Sequence, residues 1–154
     1  MRLLLRANAH RPVDGGVEVA ASPDTPTRPE PWSWHVRLLA DATCAEGAAR
    51  SVRLRAGGRW EAVAVDVDPE VVTPELSLVD LAGTTQVDRD EDDLVALVVA
   101  TGSVLVEGRH ALLPGDAMVL TGDDPLTVSA TGSDGTLALV RLSSVREPSV
   151  GWVP

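Results

Sequence analysis

Thirteen arginines, three histidines and four tryptophans carry most of the recognisable chemistry of this 154-residue chain. The densest grouping is Trp32-Ser33-Trp34-His35-Val36-Arg37-Leu38-Leu39. Alternate residues of an extended strand share a face, so Trp32, Trp34, Val36 and Leu38 point one way and Ser33, His35, Arg37 and Leu39 the other. The polar face offers a guanidinium fork for a carboxylate beside an imidazole that titrates near neutrality; the wet side of an ordinary sheet has the same pattern. The apolar face packs a core, because a chain without Phe or Tyr must draw its large aromatic volume from Trp. Trp60 opens a second alternating segment, with Glu61, Val63, Val65 and Val67 opposite Ala62, Ala64 and Asp66, and either caps one end of a barrel or fills its core. Arg89 and Glu91 lie in the run Asp88-Arg89-Asp90-Glu91-Asp92-Asp93. Its crowded carboxylates read as a solvated loop, and it lacks the glycine-containing spacing of a calcium loop.

Other chemistries are excluded. There is no Lys for a Schiff base and no Tyr for acid catalysis. Cys44 is the single cysteine, which rules out an intrachain disulfide and a Cys-rich metal knuckle and fits a reducing cytosol. No basic cluster adjoins Cys44, so it reads as a structural thiol. No Gly-x-Ser-x-Gly elbow or phosphate-cradling glycine loop occurs. His10, His35 and His110 are dispersed, so an acid/base enzyme would use His35 with a carboxylate brought near by the fold. The formal charge of −10 argues against nucleic acid and anionic membranes. Three apolar residues between Arg2 and Arg6 fall short of a secretory core of ~7–15 or a span of ~20, and a soluble cytoplasmic protein is expected.

The elements that would position these residues are strands. Apolar residues alternate or form short Val-rich runs, interrupted every ~8–12 residues by Gly, Pro or Asp clusters, as in an all-β sandwich or barrel. Strands are expected at 2–6, 17–21, 33–39, 51–55, 60–67, 76–81, 94–100, 103–107, 117–121, 126–130 and 136–142. Turns are expected at Asp14-Gly15-Gly16, Gly57-Gly58, Thr101-Gly102, Pro114-Gly115-Asp116, Gly122-Asp123-Asp124-Pro125 and Gly132-Ser133-Asp134-Gly135. His110 falls in an exposed turn. Four prolines in 22–31 mark a connector, since proline gives no ladder hydrogen bond.

Residues 83–142 resemble the core of a cupin, the small double-sheet jelly-roll barrel. The first cupin motif (Gly, five residues, His-x-His, three or four residues, Glu, six residues, Gly) is matched in frame by Gly83, Arg89-Asp90-Glu91, Val95 and Gly102. The second (Gly, five residues, Pro-x-Gly, two residues, His, three residues, Asn) is matched by Gly115, Thr121-Gly122-Asp123, Leu126 and Ala130. In metal cupins the matching three His and one Glu hold the ion. Here they are Arg89, Glu91, Val95 and Leu126, and one carboxylate beside an Arg does not supply the three or more ligands a transition ion needs. No metal and no other cofactor is expected. Leu126 and Val95 would dry the lumen, and Arg89 and Glu91 either pair at its mouth or remain solvated.

A narrower resemblance is to the HutD/Ves family, bicupins associated with histidine-utilisation operons. Arg11-Pro12-Val13-Asp14-Gly15-Gly16-Val17-Glu18-Val19-Ala20 is similar to its Arg-x-Pro-Trp-Lys-Asn-Gly-Gly-Gly segment and following strand, with the Trp-Lys-Asn lost. Trp34-His35-Val36-Arg37-Leu38-Leu39-Ala40 resembles its Trp-Arg-x-Ser-x-Ala strand, and 79–142 its C-terminal lobe. The first-lobe Pro-Phe-Ser and Phe-Pro-Gly signatures are absent. The resemblance implies a reduced bicupin: an N-terminal β lobe over 1–75, a C-terminal barrel over 76–144 and a tail over 145–154. It also implies binding of a small metabolite in a regulatory role. The expected function is a metal-independent cupin-like protein that binds a small, anionic metabolite in its barrel, with Trp34, His35, Arg37, Trp60, Arg89 and Glu91 as ligand-binding candidates. The alternatives are a metal-independent isomerase, epimerase or cyclase using His35, and a structural or dimerising protein with a filled barrel. Trp152 must bury its ring in the chain's own barrel or in a second subunit of a homodimer.

Overall fold

The computed structural model describes residues 2–22, 33–55 and 58–145. Residues 23–32, with Trp32, and the tail bearing Trp152 lie outside them, as does Gly57. The described residues form twelve strands, two one-turn 3-10 segments and no α-helix, so none of their helices is long and apolar enough to cross a membrane.

Seven strands form one antiparallel sheet: β1 (Arg2–Leu5), β7 (Val72–Leu81), β8 (Thr84–Val87), β9 (Leu94–Val106), β10 (His110–Leu112), β11 (Ala117–Thr121) and β12 (Leu126–Ser144). Its central order is β1-β11-β9-β12-β7, with β10 added to β9 and β8 to β12. The second sheet has the order β2-β3-β4-β6-β5, from β2 (Arg11–Val13), β3 (Gly16–Ser22), β4 (Trp34–Leu39), β5 (Arg50–Arg53) and β6 (Ala62–Val67).

Strands β9 and β12 are long because each serves two parts of the roll. The first half of β9 pairs with β11 and its end with β10; the start of β12 pairs with β8 and its second half with β7. The register between them shifts between Ala130 and Gly135, and Gly102 turns with φ +72° against the Asp134–Gly135 backbone. A β-bulge bends a strand without ending it. The seven-stranded sheet therefore folds over on itself and closes the C-terminal roll.

That arrangement explains why 94–100 is almost continuously apolar: the strand is buried on both faces. Leu94, Ala96 and Val98 face a core shared with the second sheet, which supplies Trp34, Val36, Leu38, Val63 and Val65. Val95, Leu97 and Val99 face the interior of the roll, with Val104, Val106, Leu112, Met118, Leu120, Leu126 and Val128. Each Val or Leu fully buried contributes about 1.5–3 kcal/mol. The molecule is a cupin-type, all-β fold whose seven-stranded sheet is common to two cores.

Several expectations change in detail. Thr101-Gly102 bends one strand rather than separating two. Gly132–Gly135 lies within β12 and makes no hairpin, because the chain on both sides stays paired to β9. Strands β2, β8 and β10 were not anticipated, and His110 begins β10 instead of occupying an exposed turn. The division expected after residue 75 falls inside β7, and β1 belongs to the seven-stranded sheet, so the two sheets do not split the chain at one point.

Candidate functional site

The positions matching the metal motif come first. Val95 and Leu126 are fully buried in the roll interior. Arg89 is buried too, but its Nε–H donates to the Asp124 carbonyl (2.8 Å), its Nη1–H to the Thr121 carbonyl (3.3 Å), and its Nη2 also meets the Asp124 oxygen. It latches the 121–125 turn, and burial, with Arg2 nearby, holds its pKa below the usual guanidinium value. Glu91 is exposed. The Arg89–Glu91 pair contemplated from sequence does not form, since the turn carbonyls satisfy Arg89. These residues do not fit a metal ion, and no group of three or more His, Cys, Asp or Glu among the described residues is placed to hold one. The roll interior expected to receive a ligand is lined by buried Leu, Val and Met side chains.

His35 and Arg37 project from the face of β4 opposite Trp34, Val36 and Leu38. They therefore lie on the outer side of the five-stranded sheet rather than in a lumen. There they meet carboxylates from two neighbouring strands. His35 Nδ1 lies 3.0 Å from Glu18 Oε2 and its Nε2 lies 2.8 Å from Asp66 Oδ2. Arg37 Nε–H donates to the same Asp66 oxygen (2.9 Å), its Nη1–H to the Cys44 carbonyl (3.1 Å), and Arg11 pairs with Glu18. Burial alone would lower the His35 pKa, yet hydrogen bonds to Asp66 and then Glu18, with the charge of both, hold it above 6.5. Against its own desolvation, Asp66 is held below the usual carboxylate value by His35 and Arg37. Because both imidazole nitrogens lie within hydrogen-bond distance of carboxylates, His35 has neither nitrogen open for proton transfer to a substrate. The anions that the polar face of β4 was expected to attract are supplied by β3 and β6.

Trp34 lies wholly inside the core between the sheets, its indole Nε1 without a hydrogen-bond acceptor. Trp60 belongs to the same core but stands at its end, beside a cleft of about 420 Å³. Ala7, Ala100, Pro114 and the Trp60 ring supply apolar wall; Arg59 and Thr101 supply the polar side chains. The Arg59 guanidinium carbon sits 4.6 Å from the centroid of the Trp60 ring, within cation–π range. Arg59 is exposed and has no acidic partner among the described residues. Among the described residues, no carboxylate lines the cleft.

One wall is fixed by Asp116, a buried carboxylate that accepts from the backbone N–H of Ala7 (2.9 Å) and of Leu113 (3.0 Å) and from Arg6 Nη1 (2.7 Å). Burial opposes its charge, but these donors hold its pKa below the ordinary value. His10 Nε2–H adds a bond to the Gly115 carbonyl (2.7 Å). Thus Ala7 and Pro114, distant in sequence, face the cleft together. Of the ligand-binding candidates read from sequence, Trp60 lines this cleft; Trp34, His35, Arg37, Arg89 and Glu91 do not. Arg59 was missed, and the signal for it was an arginine directly before a tryptophan and after Gly57-Gly58.

Two solved structures share this architecture. Protein PA5104 of Pseudomonas aeruginosa PAO1, described as a conserved protein of unknown function, aligns over 94% of this chain and 100% of its own with a TM-score of 0.67 and 14% identity. HutD from Pseudomonas fluorescens SBW25 aligns over 95% of this chain and 100% of its own, with a TM-score of 0.59 and 14% identity. No family model matches the sequence, and no curated protein matches it. At this identity the likeness is one of fold, and the fold is that of a HutD-like cupin.

Proposed function

We propose that this cupin-like protein binds a small carboxylate with an apolar body, in the cleft beside Trp60 rather than inside the C-terminal roll. One observation carries the reading: among the described residues, the single charged group in the cleft lining is the Arg59 guanidinium, with no carboxylate beside it, in a chain of formal charge −10. A guanidinium without an acidic partner recognises a carboxylate through two parallel N–H bonds. Thr101 adds a hydroxyl, and the apolar walls exclude water from the ligand body. The cleft volume suits a ligand of metabolite size. The role is binding: His35, the group best suited to acid/base work, lies on another face with both nitrogens engaged.

Isothermal titration with straight-chain and aryl monocarboxylates tests this. At least one should bind, and Arg59→Ala should weaken it about tenfold or more, the value of one charge-assisted contact at an accessible site. Absence of heat with every carboxylate, or equal affinity in the variant, would remove the reading.

A further inference from the structure

The cleft beside Trp60 has a neighbour. A second depression, of about 290 Å³, is lined by Arg53, Leu54, Arg55 and Glu61, and it shares Gly58 and Trp60 with the first. Its charges are not equally available. Glu61 Oε2 accepts the Ala42 backbone N–H (2.9 Å). Arg55 Nη2 is paired with Asp80 Oδ2 (2.6 Å), and the other Asp80 oxygen accepts the Thr136 hydroxyl (2.9 Å). Arg53 is exposed and has no acidic partner among the described residues. A guanidinium without an ion-pair partner among the described residues therefore stands in each depression, Arg59 in one and Arg53 in the other, where Glu61 is held to the Ala42 amide. Between them is a residue without a side chain: a Cβ built on Gly58 would meet nothing within 4 Å.

We infer that the ligand carries two anionic groups joined by an apolar spacer, one at Arg59 and the other at Arg53, with the spacer crossing Gly58. The inference rests on the carboxylate reading for its Arg59 half and adds the second anchor. A monoanion satisfies one of the two guanidinium groups. A dianion of matched length satisfies both, and its second contact forms at the high effective concentration set by the short spacer. The spacer lies over the glycine and against Trp60, where apolar carbon is better placed than another charge.

The experiment is calorimetric titration with the linear dicarboxylates from succinate to sebacate, each compared with the monocarboxylate of equal carbon number. One length should bind about tenfold tighter than its monoacid, with looser binding on either side of that length. Arg53→Ala should collapse the diacid-to-monoacid ratio towards one. Gly58→Leu should do the same by standing in the crossing, at a position where the backbone is not left-handed and the space is open. Diacids no tighter than monoacids at every length would overturn the bridging ligand and leave the single-carboxylate reading in place. No binding of either kind would overturn both.

Discussion

Gly16→Ala should lower the unfolding free energy by about 3 kcal/mol or more, the upper end of what an overpacking substitution costs. Gly16 opens β3 and pairs with Leu39 of β4. A Cβ placed on it would overlap the Leu38 carbonyl oxygen and lie 2.8 Å from Leu39 Cα and 3.0 Å from the Leu38 carbonyl carbon. These are backbone atoms of a central strand, so no side-chain rotation relieves the contact. Either β3 separates from β4 or the strand loses its register. The register matters because it places Val17 and Val19 against the core and Glu18 beside His35. Gly58→Ala is the control: its new methyl meets nothing and should change stability by less than about 0.5 kcal/mol. Urea unfolding measures both, with the midpoint shifting at constant slope. A Gly16→Ala midpoint close to that of Gly58→Ala would show that β3 and β4 are not paired in this register.

His35→Leu should cost about 2–3 kcal/mol near pH 6, with the cost shrinking as the pH rises. Protonated His35 donates one hydrogen bond to Glu18 and one to Asp66, both carboxylates being largely shielded from water. Bonds to charged groups contribute about 1.5–3 kcal/mol each. The loss stays below the sum of two because Arg11 remains on Glu18 and Arg37 on Asp66. The sign of the pH dependence follows from the pKa of His35, which is higher in the folded chain than its unfolded value of 6.5. Folding then takes up a proton, so the contribution is complete below about pH 6.5 and is lost as the pH climbs through the higher folded value. Unfolding of the wild type and His35→Leu at pH 6 and pH 9 should show the gap between them narrowing at pH 9. A gap that widens would mean that neutral His35 is the stabilising form and that the double-carboxylate clamp is misread.

The strand positions were largely legible because their burial is one-sided or two-sided in a way that sequence records. Alternation in 33–39 separated Trp34, Val36 and Leu38 from His35 and Arg37, and the structure keeps that division. The same holds for Val63 and Val65 against Ala62, Ala64 and Asp66 in β6. What alternation could not supply was the strand next door. Glu18 and Asp66 come to His35 only through pairing of β3 with β4 and β4 with β6, which is a tertiary fact. The glycine frames at 83–102 and 115–122 fall within the roll, but the turn signals misread two of its corners: Thr101-Gly102 and Gly132–Gly135 look like chain reversals and are bends inside long strands. The cleft was hidden for a related reason. Its walls come from Ala7, Trp60, Ala100 and Pro114, and the buried Asp116 carboxylate, whose donors lie at Arg6, Ala7 and Leu113, brings the first and last of these together. Arg59 has no periodic pattern to announce it.

The most direct test of where the ligand sits is the indole N–H signal of each tryptophan, assigned by Trp→Phe variants and followed by ¹H–¹⁵N NMR during titration with a carboxylate that binds. The Trp60 signal should move in a saturable way, because its ring forms the wall beside Arg59, while that of Trp34, enclosed between the sheets, stays in place. A Trp60 signal that stays fixed while methyl signals of Val95 and Leu126 shift would put the ligand inside the roll and contradict the assignment of the cleft.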